Sequence, residues 1–432
     1  MDCLKFLLED DNGKKALESA TRLVRDTEIK ENESKIALLV SKKTGISLKD
    51  AARAVELVLL RVRSEKKMAP MLDPSGMAFD REGLEMASNP IVSEYRARSF
   101  KGFDTVLDLC SGIGIDSIIL ATHGSTGRKV VGADLSPERC FMAHWNSRHY
   151  GVKIPEDAIE FVRADALDDS FLSGVSADAV FADPGRRHSG GGGGLRTSRL
   201  SETHPPTDVL VRKIMDKVSA NLCIKSAPGI SRDEPLLSEC VSEFVSLNGE
   251  LLECVLWFGE FVNLKKQEPS GRIATALPGE GTISSLDESS DAVSESIGGF
   301  ILEPDPAVIR AGLVQQLAAR TNASRIDEKI AYLTCEKELI GEQQSTSGLF
   351  KSFRVIDDFP FSLARIKEKV REIGPKTVVV KKRGSAVEVD AFRKKIMTAI
   401  KPAREGPAEL IVFLTRKAGK PWAAVAERAR GD

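Results

Sequence analysis

Residues 105–134 read TVLDLCSGIGIDSIILATHGSTGRKVVGAD, and this stretch decides the fold. Val106 and Leu107 form an apolar strand that leads into Asp108. Gly112 and Gly114 then let the backbone turn tightly and lie against a ligand, and Asp116 through Ala121 begins a buried helix. A second apolar strand ends at Asp134, twenty residues after Gly114. The pattern predicts a nucleoside-binding βαβ unit. A carboxylate at the tip of the second strand is placed to accept hydrogen bonds from the paired hydroxyls of a ribose.

The glycine spacing separates two cofactor classes. A dinucleotide turn reads G-x-G-x-x-G and places pyrophosphate on the helix N-terminus. Here Ser117 takes the third glycine position, and Asp108 and Asp116 flank the turn, poor company for a diphosphate. An acidic turn suits a cationic ligand with an amino-acid end. S-adenosylmethionine carries a sulfonium and an ammonium, so Asp108 and Asp116 become favourable to it.

Two further segments repeat the strand-and-carboxylate pattern. Residues 159–166, IEFVRADA, form a third strand ending at Asp165, placed to accept from an adenine amine. Residues 179–184, AVFADP, form a fourth that ends in Asp183 and Pro184. A single strand-terminal Asp is more often a turn former or a helix cap. Four of them in register with a glycine turn, Asp108, Asp134, Asp165 and Asp183, mark the carboxyl edge where open α/β sheets bind ligands. Cys110, Leu135 and Ala166, beside these tips, complete the expected cofactor-contacting set.

The ordered motifs DLCSGIG, GAD, RADA and DPGRR resemble those of the class I S-adenosylmethionine-dependent methyltransferases. Longer stretches narrow the resemblance: EGLEMASNPIVSEYRARSF, FADPGRR, IKSAPG, ILEPDPAVIRAGLV, FPFSLARIKEKVRE, VVVKKRG and LIVFLTRKAGKP. These are similar to bacterial methyltransferases that carry a THUMP-like C-terminal domain, over residues 77–425. The resemblance implies a Rossmann-like core, S-adenosylmethionine as cofactor, and an RNA substrate such as rRNA or tRNA. The expected fold is α/β, with a helical N-terminal region and a small α+β C-terminal domain of ferredoxin-like or THUMP-like character.

Composition is that of a soluble intracellular, cytoplasmic enzyme. The 432 residues, 42% hydrophobic, suffice for two or three cores. No run of eighteen apolar residues is present to span a membrane, and the start, MDCLKFLLEDDNGKK, lacks a basic leader. Seven scattered cysteines without C-x-x-C or nearby His read as reduced thiols, and no metal is expected. The net charge of −1 hides an asymmetry. Residues 351–432 hold 20 Lys and Arg against 10 Asp and Glu, a balance of +10, and the remainder, 42 basic against 53 acidic, carries −11. A basic module on an acidic body suits a polyanion such as RNA, though a solubilising lysine-rich surface explains the charge equally well.

Five segments are expected. Residues 1–98 are helical in pattern, with Asp80 as an N-cap, and serve for packing, as a cap over the cofactor site, or as an RNA-contacting lobe. Residues 99–279 form the methyltransferase core, closing with strands on either side of the hairpin turn Asn248-Gly249 and a last strand from Arg272 to Leu277. Residues 280–298, rich in Ser, Asp and Glu, read as a flexible linker or loop. Residues 299–350 bridge to the basic domain at 351–432, where strands and helices alternate.

The chemistry centres on Asp183, Pro184, Gly185, Arg186 and Arg187. Methyltransferases acting on exocyclic amines usually carry Asp or Asn, two prolines and an aromatic residue here. This chain keeps Asp183 and Pro184 and puts Arg186 in the aromatic position, where a guanidinium plane can stack a base. Asp183 is expected to orient the acceptor and to help its proton leave. Arg186 and Arg187 are candidates for phosphate or base contact, and Lys225 either faces the same cleft or is a solvated strand tip. Cys223 lies mid-strand, which disfavours a covalent cysteine route. The basic loop around Gly190 to Gly194 is either a substrate gate, with Arg196 and Arg199 on phosphates, or an unstructured insertion. Lys381, Lys382 and Arg383 form a basic turn suited to tracking phosphates. Two other functions stay open: a methyltransferase of a protein or small molecule, and a noncatalytic RNA-binding protein that retains the fold. The oligomeric state is not legible.

Overall fold

The computed structural model of the chain describes residues 2–26, 32–68, 71–123, 127–149, 154–155, 157–185, 197–339, 346–398 and 406–429. The chain divides into two compact units. The first comprises Met1–Cys240 and Leu256–Lys266, and the second Val241–Val255 and Gln267–Asp432.

Among the described residues the first unit opens with six α-helices: α1 (Asp2–Glu9), α2 (Asp11–Arg25), α3 (Glu33–Thr44), α4 (Leu48–Met68), α5 (Arg81–Met86) and α6 (Pro90–Arg98). Apolar residues at helical spacing on α4, Ala51, Ala54, Val55 and Val58, are all buried. Asp80 caps α5 by accepting from Gly83 N at 2.5 Å, as its position predicts. Asn89 caps α6, with Pro90 at the first helical position.

The parallel sheet follows: β1 (Thr105–Leu109), α7 (Ile115–Thr122), β2 (Lys129–Asp134), α8 (Pro137–Arg148), β3 (Ile159–Arg163), α9 (Asp169–Gly174), β4 (Ala179–Ala182), α10 (Thr207–Lys217) and β5 (Leu222–Ser226). The strand order β3-β2-β1-β4-β5 reverses direction of growth at β1, between β2 and β4. That reversal opens a crevice at the carboxyl ends of β1 and β4. The fully buried Arg128 ties the unit together. Its guanidinium donates to the carbonyls of Phe103 and Leu120, both at 3.0 Å, and of Phe100, satisfying three backbone groups at once.

The chain continues through β6 (Val241–Leu247), β7 (Glu250–Trp257), α11 (Glu260–Leu264), β8 (Arg272–Leu277) and β9 (Gly281–Ser284). Trp257 and Phe261 pack with Phe100 and Phe103 in the first unit, ring centroids 4.8–6.4 Å apart. In the second unit β8 lies parallel to β6 and antiparallel to β9. Asn248 and Gly249 turn the β6–β7 hairpin with φ of 53° and 80°, the left-handed pair that Asn-Gly favours.

The second unit also holds β10 (Phe300–Pro304), α12 (Pro306–Ala311), α13 (Val314–Arg320), β11 (Ser324–Asp327), β12 (Ile330–Cys335), β13 (Phe350–Pro360), α14 (Leu363–Ile373), β14 (Thr377–Lys382), α15 (Val389–Met397), β15 (Glu409–Lys417) and β16 (Lys420–Arg428). Seven strands form one sheet in the order β11-β12-β10-β13-β16-β15-β14. Successive residues of β15 alternate faces. Leu410, Val412 and Leu414 pack with Ile366, Val370 and Phe392 of the helices, and Ile411 and Phe413 with Tyr332 and Phe353 on the opposite face.

Three expectations need correction. Residues 280–298 are not all loop: β9 pairs with β8, because Ile283 supplies an apolar anchor that the polar composition conceals. Residues 299–350 do not merely bridge. They supply β10, β11 and β12 to the same sheet as the C-terminal strands, and Ile301, Ile326 and Tyr332 to its core. The last four strands connect as β-α-β-α-β-β with β14 and β15 parallel, rather than in the β-α-β-β-α-β order of a ferredoxin-like fold.

Candidate cofactor and acceptor site

The carboxyl ends of β1 and β4 open on a cleft lined by Ser88, Asp108, Cys110, Gly112, Asp116, Arg139, Phe181 and Asp183. Asp108 is fully buried and accepts from Ser117 Oγ. Its Oδ1 has no hydrogen-bond partner among the described residues. Burial, and then the negative charge of Asp116, push the Asp108 carboxyl well above the usual carboxylate range. An unsatisfied buried acceptor facing a cleft fits a cationic group, such as an ammonium.

The glycine turn is built for close approach. Cys110, Gly112 and Gly114 take φ of 61°, 57° and 85°. A Cβ on Gly114 would come within 2.8 Å of Ala143 Cβ on α8, whereas one on Gly112 would meet nothing within 4 Å. Gly114 therefore permits packing of α7 against α8, and Gly112 leaves a cradle on the open side. Asp134 is locked in place: its Oδ2 accepts from Gly112 N at 3.0 Å and its Oδ1 from Ser136 N at 2.8 Å. Burial raises its pKa. Leu135 is 57% exposed beside it, an apolar plate at the position expected to touch the cofactor. Asp165 follows β3 and accepts from Leu167 N, and Ala166 is buried. These residues fit a nucleoside with a cationic amino-acid tail: an orphaned buried carboxylate oxygen, a glycine cradle, and a fixed carboxylate at the second strand tip.

Asp116 departs from its expected role. It lines the cleft, but its carboxylate already accepts from Ser88 Oγ at 2.6 Å, Ser93 Oγ at 2.5 Å and the Arg96 guanidinium. Burial works against its charge, yet Arg96 and then Lys225 outweigh that and lower its pKa. It organises the wall rather than offering a free charge. Lys225 is no solvated tip: it is 7% exposed, and its ammonium lies 2.5 Å from Asp183 Oδ2 and 2.7 Å from Ser88 Oγ. Lys67, at the end of α4, donates to Leu84 O at 2.7 Å, and burial followed by repulsion from Lys225 lowers its pKa to about 8. Sequence reasoning did not single out Lys67, Ser88, Ser93, Arg96 or Arg139, because nothing local says that these residues converge on the edge of the sheet. Their one signal is the stretch SNPIVSEYRAR, three of whose polar side chains meet at Asp116.

Pro184 follows Asp183 at the cleft, and Gly185 pairs with His204 across an antiparallel bridge. Arg186, Arg187, Arg196 and the run Gly190 to Gly194 lie outside the described residues. Arg199 is within them and pairs with Asp233 at 3.0 Å. Cys223 is fully buried mid-strand, as expected. Among the described residues no group of three His, Cys, Asp or Glu is placed to hold a metal ion, and no helix is long and apolar enough to cross a membrane.

In the second unit a cleft of about 880 Å³ is lined by Lys351, Lys381, Arg383, Arg428, Glu303 and Asp305, among others. Lys381 lies 2.6 Å from Glu303, and the Arg383 guanidinium lies 5.1 Å from the Tyr332 ring centroid. Lys382 does not join them. Residues alternate sides on leaving a strand, and its amine donates to Val387 O instead. The expected run of three adjacent basic residues is thus split between two directions.

A strand-order reversal carrying a glycine turn, an acidic cradle and a fixed carboxylate at β2 defines a Rossmann-like methyltransferase site. Residues 103–223 match the family model described as RNA cap guanine-N2 methyltransferase, and residues 350–428 the one described as THUMP domain-like. The chain is 28% identical over 369 residues to an uncharacterized S-adenosylmethionine-dependent methyltransferase of Mycobacterium tuberculosis, covering 84% of this chain and 92% of the relative, in strains CDC 1551 / Oshkosh and ATCC 25618 / H37Rv alike. A crystal structure of a candidate methyltransferase from Porphyromonas gingivalis W83 superposes with a TM-score of 0.73 at 19% identity, over 96% of this chain and 99% of that one, a likeness of fold. The chain is an S-adenosylmethionine-dependent methyltransferase in fold and sequence likeness, similar to those that carry a THUMP-like domain at the C-terminal end.

Proposed function

We propose that this methyltransferase transfers a methyl group to a base of RNA, rRNA or tRNA, at an exocyclic amine held against Asp183. The observation that carries the reading is Asp183 itself, a carboxylate at the end of β4 on the wall of the cofactor cleft, within the segment that matches an RNA methyltransferase family model. The basic balance of residues 351–432 and the THUMP-like match at 350–428 support an RNA partner.

Asp108 and the Gly112 cradle hold the amino-acid end of S-adenosylmethionine, Asp134 and Leu135 the ribose, and Asp165 with Ala166 the adenine. Asp116 acts only through the residues it positions. Held there, S-adenosylmethionine would supply a methyl carbon activated by its sulfonium for transfer to the acceptor nitrogen. The protein supplies alignment and a dry cleft. Asp183 accepts a hydrogen bond from the acceptor amine and lies beside the proton that the nitrogen must shed. Arg186 and Arg187 come three and four residues after Asp183 in the sequence and are assigned to the entering base and its phosphates. Arg196 and the loop around Gly190 to Gly194 are assigned to the same strand of RNA. Lys381 and Arg383, with Lys351 and Arg428, line a second contact for the phosphate backbone.

The test is methyl incorporation from labelled S-adenosylmethionine into soluble extract of a strain deleted for this gene. Label removed by ribonuclease and retained after protease supports the reading. Label removed by protease, or found only in small molecules, overturns the RNA assignment.

A further inference from the structure

The residue beside Asp183 carries an inference beyond the cofactor cleft, one that rests on the reading of Asp183 as the acceptor end of the site. Lys225 lies on β5, next to β4 in the sheet. Its ammonium contacts Asp183 Oδ2 at 2.5 Å and Ser88 Oγ at 2.7 Å. Ser88 donates to Asp116, and Asp116 also binds Ser93 and Arg96. The Arg96 guanidinium in turn sits 4.6 Å from the centroid of Phe181, two residues before Asp183 on β4. The chain of contacts Asp183, Lys225, Ser88, Asp116, Arg96 and Phe181 closes back on the strand from which it starts.

Two buried cations, Arg96 and Lys225, meet two partly buried carboxylates, Asp116 and Asp183, here. Such a network is a weak source of stability, because desolvating four charges consumes most of what their attraction returns. What it does provide is geometry. Among the described residues the donor to the Asp183 carboxylate is Lys225, and it takes Oδ2. Asp183 also lines the cleft, so the residue that Lys225 holds is one the cleft exposes. Ser88, Ser93 and Arg96 all precede the sheet, on the segment that spans the end of α5 and α6. The N-terminal region is therefore part of the transfer site.

We propose that Lys225 is a positioning residue for methyl transfer: it fixes Asp183 in one orientation towards the acceptor and is itself held by Ser88 of the N-terminal region. Its role is distinct from cofactor binding, since the atoms that cradle the cofactor belong to Asp108, Gly112 and Asp134. Misplacing an orienting group by about 1 Å costs on the order of 100-fold in rate.

The experiment compares full-length wild type with Lys225→Met, Lys225→Arg and Ser88→Ala, using labelled S-adenosylmethionine and soluble extract from the deletion strain as methyl acceptor. Calorimetric titration of S-adenosylmethionine and the thermal midpoint are measured on the same samples. Lys225→Met is expected to bind S-adenosylmethionine within about 2-fold of wild type and to lose about 100-fold in turnover with little change in KM for the extract. Lys225→Arg, which keeps a donor to Asp183, is expected to recover at least about 10-fold of that loss, and Ser88→Ala to lose about 10-fold. Should Lys225→Met fail to fold, the arginine and Ser88 variants carry the test, and unchanged turnover in Ser88→Ala overturns the proposal. Turnover in a folded Lys225→Met within about 3-fold of wild type overturns it as well. So does a turnover loss matched by an equal loss of cofactor affinity. If the wild type transfers no methyl to any component of the extract, the reading of Asp183 fails and this inference with it; an active wild type with an indifferent Lys225 defeats this inference alone.

Discussion

Asp134 Oδ2 accepts a hydrogen bond from Gly112 N at 3.0 Å, so the carboxylate that ends β2 holds the glycine turn that leaves β1. The two halves of the motif are one mechanical piece. Backbone hydrogen bonds to both Asp134 oxygens fix the side chain before any ribose arrives, and preorganisation of that kind lowers the cost of binding.

The two glycines of the turn are expected to fail differently. Gly114→Ala puts a methyl 2.8 Å from Ala143 Cβ at a φ of 85°, and should destabilise the protein by about 2–4 kcal/mol. Gly112→Ala meets no neighbour, and should cost about 1 kcal/mol for its positive φ while filling the cradle and weakening S-adenosylmethionine binding at least about 10-fold. Urea unfolding and calorimetry on both variants check the contrast. Equal losses of stability would contradict it.

Asp108 is expected to make stability and cofactor binding depend on pH in opposite directions. Its folded pKa lies well above the unfolded value, raised by burial first and by Asp116 second. The native state therefore holds a proton that the unfolded chain releases above about pH 4, and this group's contribution to stability falls as pH rises from there to its folded pKa. Pairing with an ammonium requires the charged form, so binding should expel the proton and strengthen with rising pH over the same window. Titrations in two buffers of different ionisation enthalpy should show proton release in wild type and less in Asp108→Asn. Identical proton release in the two would remove Asp108 from the cation site.

Arg128→Met tests the scaffold rather than the chemistry. The three carbonyls it serves, of Phe100, Phe103 and Leu120, would lose a buried donor, which should cost about 2–4 kcal/mol. The thermal midpoint reads this directly, and a loss under about 1 kcal/mol would show that water replaces the guanidinium.

Much of the fold was legible because its signals are local. The glycine turn, the strand-terminal Asp residues and the Asn248-Gly249 hairpin each announce themselves within a few residues. The Asp80 cap is visible for the same reason. What was hidden depends on distance in sequence. Lys225 read equally as facing the cleft or as a solvated strand tip, because nothing near it in sequence reveals that Ser88 and Asp183 contact it. Asp116 looked available to a ligand for want of any sign of Arg96. The 280–350 region read as linker and bridge because its strands are short and their partners are distant in sequence: β9 is paired with β8, and β10, β11 and β12 join a sheet assembled with residues 350–428.

Charge reversal at Lys351 and Arg428 tests the second-unit cleft. Under the RNA reading, the double Glu variant should bind bulk tRNA at least about 10-fold more weakly near 0.1 M salt, and its log–log salt slope should shrink by about 1.4, near 0.7 for each phosphate no longer neutralised. S-adenosylmethionine affinity should be unchanged. An unaltered slope would place the RNA elsewhere.

Calorimetric titration of S-adenosylmethionine into the wild-type chain and into Asp134→Ala tests the central claim most directly, because every step described depends on that cofactor occupying the β1–β2 cradle. The account predicts saturable one-to-one binding to the wild type, weakened by about 10- to 100-fold in a variant that stays folded, as expected when a charge-assisted hydrogen bond is removed. No binding to the folded wild type, or equal affinity in Asp134→Ala, would contradict it.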